Sequence, residues 1–244
     1  MVTMKRLVSA GVLFFSTLSL VMGQSSSTAG SRELSVEESY LQEAVEMMII
    51  REQSRSDSRE MKMIALDYIE SAIERGNTGE EIRLALEYLA IEGTINQARE
   101  NGRLVNNYPD VRTKAVMYLG QLGTPEARGT LLRVARAEPE PMVLTETFKS
   151  LGKNSGDDPA DVVNTVGSVL TKFNALNPDN LLALAALDVY DTVARNNSGK
   201  LDINAVQLII QISEGPYTRP VQQKAQQVIR NLRTYAQEGS ANRQ

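Results

Sequence analysis

The segment PDVRTKAVMYLGQLGTPEARGTLLRVA, at positions 109–135, constrains the fold of this chain more than any other stretch. Its apolar residues recur from Val111 to Leu119 at the spacing of one helix face, which predicts an amphipathic helix. Gly123 then supplies a turn residue, and Pro125 is typical of the first turn of a new helix. Two helices joined by a tight turn cannot bury their apolar faces alone, so the segment predicts one unit of a stack of helical hairpins.

Part of this segment recurs further along the chain. With an offset of 32 residues, Pro109, Val111, Leu119 and Gly120 map onto Pro141, Val143, Leu151 and Gly152. The segment resembles the HEAT-like repeat of the phycobilin-lyase type. The resemblance implies an all-α solenoid of about four to five HEAT-like hairpins, which we assign to residues 35–237. Such an architecture hosts many unrelated functions, so the resemblance implies no particular activity.

The first helical pattern follows a capping box formed by Ser35 and Glu38. We expect its apolar face to belong to the core; that face holds Leu41, Ala44, Val45 and Met48. The methionines of the first two helices are expected to form the core of an end-capping helix pair. The alternative is that they line a pliant hydrophobic groove. These methionines are Met47, Met48, Met61 and Met63.

Further helical hairpins are predicted at residues 58–91 and 109–137, and a last helix at 219–236. Three pairs of a capping residue and a proline mark predicted helix starts: Thr124-Pro125, Asp158-Pro159 and Asn177-Pro178. The helix over 178–195 is apolar on nearly every side, so we expect it to be the most buried. No stretch shows a sustained two-residue alternation, and we therefore expect no sheet.

The first 23 residues have the pattern of a secretory signal peptide. Lys5 and Arg6 precede an apolar run that ends near Met22, and small residues allow cleavage near Gly23. A membrane anchor is the alternative, but the run is short for a spanning helix. Residues 24–34 are small and polar and predict a flexible linker, and residues 238–244 predict a disordered tail.

The composition excludes several kinds of function. The chain contains no cysteine and no histidine, so we expect no disulfide, no metal site, no cofactor and no nucleophilic triad with a histidine base. The net charge is −4, and removal of Lys5 and Arg6 with the signal peptide makes the remaining chain more acidic. This balance argues against binding to nucleic acid. We therefore expect a protein that is not an enzyme.

Residues 92–108 interrupt the helical repeat and are the candidate functional segment. The residues predicted to bind a protein partner are Arg99, Arg103, Asn106, Asn107 and Tyr108. Arginine and tyrosine are enriched at interface hot spots, and functional residues are often found on loops. The alternative is a polar connector that turns the chain into the next repeat.

Two other groups of residues have structural and functional interpretations. Arg112 could clamp a carboxylate or phosphate, but we favour a structural bridge between adjacent repeats, with Asp110 nearby as a capping residue. Asp157, Asp158 and Asp161 are typical of a helix start and only weakly indicate calcium.

The sequence thus predicts an exported, non-enzymatic adaptor or scaffold that binds a protein partner in a bacterial periplasm or outside the cell. No integral membrane segment is expected after cleavage of the signal peptide. One alternative is a non-catalytic accessory or lyase-like subunit of an enzyme, and a disfavoured alternative is a HEAT-like nucleic-acid-binding protein.

Overall fold

The computed structural model describes residues 36–156, 158–176 and 178–241, and within these ranges the chain folds into ten α-helices and one short β-hairpin. The helices are α1 (Val36–Ser54), α2 (Arg59–Glu74), α3 (Glu80–Ile91), α4 (Pro109–Leu122), α5 (Pro125–Ala137), α6 (Pro141–Lys153), α7 (Ala160–Leu176), α8 (Asn180–Asn196), α9 (Ile203–Glu214) and α10 (Arg219–Ala241). The strands β1 (Arg99–Glu100) and β2 (Arg103–Leu104) lie between α3 and α4. The predicted all-α fold is confirmed. The predicted signal peptide, linker and Ser35 cap lie outside the described residues.

The helices form two layers. The even-numbered helices from α2 to α10 pack against each other in chain order and form one layer. The odd-numbered helices from α1 to α9 do the same and form the second layer. Each odd helix packs closely on the even helix that follows it, which gives five two-helix units in the described part of the chain. The array is the stacked architecture expected of a helical-repeat solenoid.

The two layers differ in how closely their helices approach. Gly120 of α4 lies so near α6 that an added Cβ would come 2.5 Å from Ser150 Oγ, and a Cβ on Gly152 of α6 would come 3.4 Å from Val189 of α8. The two glycines are the repeat-related pair seen in the sequence. Cavities of about 420, 360 and 160 Å³ lie instead between neighbouring odd helices, at α7–α9, α5–α7 and α1–α3. The even layer is therefore compact and the odd layer is open.

Several local predictions are confirmed. The residues on the predicted apolar face of α4 are fully buried; they are Val111, Ala115 and Leu119. Thr124 caps α5, since its hydroxyl accepts a hydrogen bond from Ala127 N at 3.2 Å. The helix predicted to be most buried is α8, which packs between α6 and α10 and carries ten buried residues.

Other boundaries differ from the predictions. The two-helix units are offset by one helix: α2 and α3, predicted as one hairpin, contact each other little, because α3 packs on α4. The cap of α8 is Asp179, two residues after the predicted Asn177, because its carboxylate accepts from Leu182 N at 2.8 Å. Residues 238–241, assigned to a disordered tail, continue helix α10.

The expectations of a buried first helix face and of no sheet are wrong. Leu41 and Met48 of α1 are 64% and 57% exposed, because α1 packs on its neighbours through the opposite side, around Ile50. The hairpin β1–β2 is joined by Asn101 and Gly102, whose φ angles of 49° and 80° are those of the turn that joins two-residue hairpins. No described helix is long and apolar enough to cross a membrane.

Candidate functional site

The candidate segment is a β-hairpin that projects between α3 and α4. Arg99 pairs with Leu104 and Glu100 pairs with Arg103 in an antiparallel register. Val105 N also donates to Ala98 O at 3.0 Å, which extends the pairing by one step. We call residues 95–105 the hairpin.

The two faces of the hairpin differ in exposure. Directly opposed residues share a face and successive residues alternate between faces, so Glu100, Arg103 and Val105 lie on one face and Arg99 and Leu104 on the other. All three residues of the first face are exposed, whereas Leu104 is half-buried. The guanidinium of Arg99 donates to Gly102 O at 3.1 Å and to the Gln97 side chain, so it stabilises the turn. The face with Arg103 is thus the more exposed of the two, and we call it the outer face.

Arg112 fastens the two ends of the segment at its base. Its Nη1 donates to Glu92 O at 3.2 Å and to the Asn107 side chain at 2.9 Å, so one guanidinium holds both the start and the end of the segment. Its Nε and Nη2 donate to the two carboxylate oxygens of Glu138 at 2.7 and 3.0 Å. The side chains of Arg112 and Glu138 are 1% and 0% exposed. The structural interpretation of Arg112 is confirmed, although the residue is buried rather than part of a surface bridge.

A second buried ion pair lies beside the first. Lys62 Nζ is 2.8 Å from Glu92 Oε2, donates to Ser54 O at 3.3 Å and lies 5.6 Å from the centre of the Tyr88 ring. The two ion pairs are equivalent in the array. Lys62 of α2 binds the glutamate that directly follows α3, and Arg112 of α4 binds the glutamate that directly follows α5. The base of the hairpin is therefore fixed by buried and mutually compensated charges.

Three of the predicted partner-binding residues hold the segment in place. Asn106 is buried, and its side chain accepts from Ala98 N and donates to Asn96 O, both at 2.9 Å. Asn107 accepts from Arg112, and the Tyr108 hydroxyl lies 3.1 Å from Asp57 O and from Val105 O. These side chains position the hairpin, while Arg99 and Arg103 remain exposed on it.

Partial burial and the nearby charge of Glu92 raise the pKa of Tyr108 above its usual value, so the hydroxyl stays a hydrogen-bond donor. Asp110, expected as a cap, forms an ion pair with Arg59 of α2. Partial burial disfavours the charged form of Asp110, but the hydrogen bond and the charge of Arg59 outweigh it and lower the pKa of Asp110. This surface pair ties α2 to the start of α4.

No metal-binding cluster is found among the described residues. No group of three or more acidic side chains there could hold a metal ion. Asp158 caps the start of α7 through Ala160 N at 3.1 Å, and Asp161 is exposed in the first turn, as the helix-start interpretation predicts. Asp157 lies outside the described residues. The cavity of about 420 Å³ between α7 and α9 is lined by exposed amide and hydroxyl side chains over the buried Tyr190.

Sequence reasoning missed the exposed apolar residue of the outer face, Val105, and the buried charges of Lys62, Glu92 and Glu138. The Asn101-Gly102 pair is a strong hairpin signal and could have identified the strands. No local pattern indicates the buried ion pairs, because their partners are 26 and 30 residues apart. Comparison of the chain with protein-family models, with curated proteins and with solved structures finds no match.

Proposed function

We propose that the protein is an exported, non-catalytic adaptor with HEAT-like repeats that binds a protein partner of the cell envelope through the outer face of the hairpin. The observation that carries this proposal is the contrast between a base held by buried ion pairs and an exposed tip. A rigid projection loses little conformational freedom on binding, which favours affinity. Two buried ion pairs fix the base, although apolar residues could fill the same space. This choice is consistent with a hairpin that must be held in one position.

The outer face combines the side chains that suit a protein interface. Arg103 offers a planar cation that can bind a carboxylate, and Glu100 offers the opposite charge beside it. Val105, which is 40% exposed, offers an apolar contact. Arginine is enriched among hot spots, and a small apolar centre beside it is typical of protein interfaces. The exported location rests on the signal-peptide pattern of the first 23 residues.

The test begins with affinity capture of the protein from its own cell envelope, followed by mass spectrometry, and then measures the affinity of each co-purifying protein. Arg103→Ala with Val105→Ser should weaken binding about thirtyfold, the loss expected for one hot spot of about 2 kcal/mol. The far-ultraviolet circular dichroism and the melting temperature should be unchanged, because both residues are exposed.

A control variant defines the surface. Arg230→Ala with Arg233→Ala removes two exposed arginines from α10 and leaves the hairpin unchanged. This control should retain nearly full affinity. Unchanged binding by the Arg103 and Val105 variant would refute the proposed surface. N-terminal sequencing of the exported protein should give Gln24 as the first residue, and an intact segment at residues 7–20 would refute cleavage.

A further inference from the structure

The first two-helix unit, α1–α2, is covered by the array on one side only. Among the described helices, α4, α6 and α8 each have an even neighbour on both sides, whereas α2 has α4 on one side. Terminal units of a helical stack usually present a polar outer surface, because nothing else covers them. The outer surface of α1–α2 instead carries several large apolar side chains that are exposed.

On α2, the side away from the array carries large apolar residues. Arg59 and Asp67 form ion pairs with α4, and at 100° per residue the roughly opposite side of the helix holds Met61, Ile64 and Tyr68. These three side chains are 40%, 41% and 39% exposed.

The same holds for α1. Arg51 forms an ion pair with Glu81 of α3, at 2.5 Å, and Ile50 and Met47 pack on the same side. The other side of α1 carries Leu41, Val45 and Met48, which are 64%, 51% and 57% exposed. We call the six residues Leu41, Val45, Met48, Met61, Ile64 and Tyr68 the N-terminal end face. Apolar patches of this kind mark interaction surfaces.

We propose that two copies of this chain associate through their N-terminal end faces to form a closed, two-fold symmetric dimer. The end face lies where the series of packed two-helix units stops, and the same apolar face of a second copy can cover it.

The other end of the array argues against head-to-tail stacking. The exposed side chains of α10 are almost entirely polar, among them Gln223, Gln226, Gln227, Arg230 and Arg233. An apolar end stacked on this polar surface would bury hydrogen-bonding groups without partners, whereas two apolar ends match. The association therefore closes at two copies and does not grow into a filament.

Residues 24–35 contain a single large apolar residue, Leu34, against six on the end face. The dimer does not depend on the hairpin, which lies between α3 and α4.

Sedimentation velocity of the purified protein over a range of concentrations tests the proposal. We expect twice the mass of the chain, and Val45→Glu with Ile64→Glu should raise the dimer dissociation constant about a hundredfold or more, because each copy would bury unpaired carboxylates. Both residues are exposed in one copy, so the variant should keep its helicity and melt as a folded protein. The matched control is Leu181→Glu with Ile203→Glu, two residues that are 66% and 65% exposed outside the end face. It should remain dimeric.

A second measurement locates the interface. Because the chain contains no cysteine, Met48→Cys introduces a single thiol, which the dimer should protect from alkylation, whereas the thiol of Leu181→Cys should stay reactive. A wild-type protein that is monomeric at every concentration would overturn the proposal. So would a dimer that is unaffected by glutamates in the end face, or one that the control variant dissociates.

Discussion

Replacing Arg112 by methionine removes the guanidinium that holds the base of the hairpin. Methionine has a similar length and keeps the apolar contacts of the side chain, so the change isolates the charge and its hydrogen bonds. It leaves the Glu138 carboxylate, which is 0% exposed, without its two guanidinium donors, while Glu140 N still donates to Glu138 Oε1 at 3.0 Å. It also leaves Glu92 O and the Asn107 side chain without their donor.

The expected loss follows from these contacts. Removing one partner of a buried ion pair costs about 3–5 kcal/mol, because the remaining charge stays buried without its counter-charge. For a domain of this size each kcal/mol lowers the melting temperature by about 2–4 °C. Arg112→Met should therefore lower the melting temperature by about 6–20 °C. The matched control is Arg59→Met, which breaks the solvent-exposed pair with Asp110 and should cost less than about 1 kcal/mol.

A double-mutant cycle separates the charge pair from its surroundings. Glu138→Leu alone should cost about as much as Arg112→Met, because it leaves a buried guanidinium. The double variant should be clearly more stable than the sum of the two losses predicts, since neither charge remains. It will still be less stable than the wild type by about 1–3 kcal/mol, because Glu92 O keeps no partner.

Urea unfolding followed by circular dichroism at 222 nm measures these free energies, and hydrogen exchange reports the hairpin itself. The amides of Ala98 and Val105 should exchange faster in Arg112→Met, because both lie in the segment whose ends Arg112 holds. The reasoning would be refuted by a loss below about 1 kcal/mol for Arg112→Met, or by losses that simply add in the double variant.

Two further changes test the core and the surface pair. Leu119→Asp should unfold the array or destabilise it by several kcal/mol, since Leu119 is fully buried. The control Leu181→Asp, at a 66% exposed position, should melt within a few degrees of the wild type. Equal melting temperatures of the two variants in a thermal scan would refute the helix register. Asp110→Asn should destabilise the protein slightly at neutral pH, and this difference in stability should vanish as the pH falls well below 3.8, because a carboxyl whose pKa is lowered by folding contributes stability only above its folded pKa. Urea unfolding from pH 7 to pH 2 measures the difference. A difference that persists at pH 2 would show that the effect is not electrostatic.

The fold could be predicted from the sequence because its signals are local. Helix faces, proline starts and the turn at Gly123 depend on residues within a few positions of each other, and the repeated Leu-Gly pairs at 119–120 and 151–152 indicated equivalent helices. The structure adds the reason for these pairs: Gly120 and Gly152 lie where one even helix approaches the next. Which helices pair with which could not be predicted, because an apolar face does not specify its neighbour.

The candidate segment was found by its break in periodicity, but its internal organisation was not. Asn106 and Tyr108 have the composition of a binding surface and serve to hold the hairpin, because a polar side chain can satisfy either the backbone or a partner. The exposed face of α1 was misassigned for a related reason. Periodicity identifies an apolar face but does not tell whether the same chain covers it.

The difference between the two layers has a mechanical consequence. The even helices are in glycine-mediated contact and cannot approach further, while gaps separate several of the odd helices. Bending that narrows those gaps displaces solvent from polar surfaces, whereas bending that widens them compresses the even side, where the close glycine contacts leave no free space. The array should thus bend about its even layer: the gaps between odd helices close at low cost while the even layer keeps its length. A load applied along the stack would be carried by the even layer.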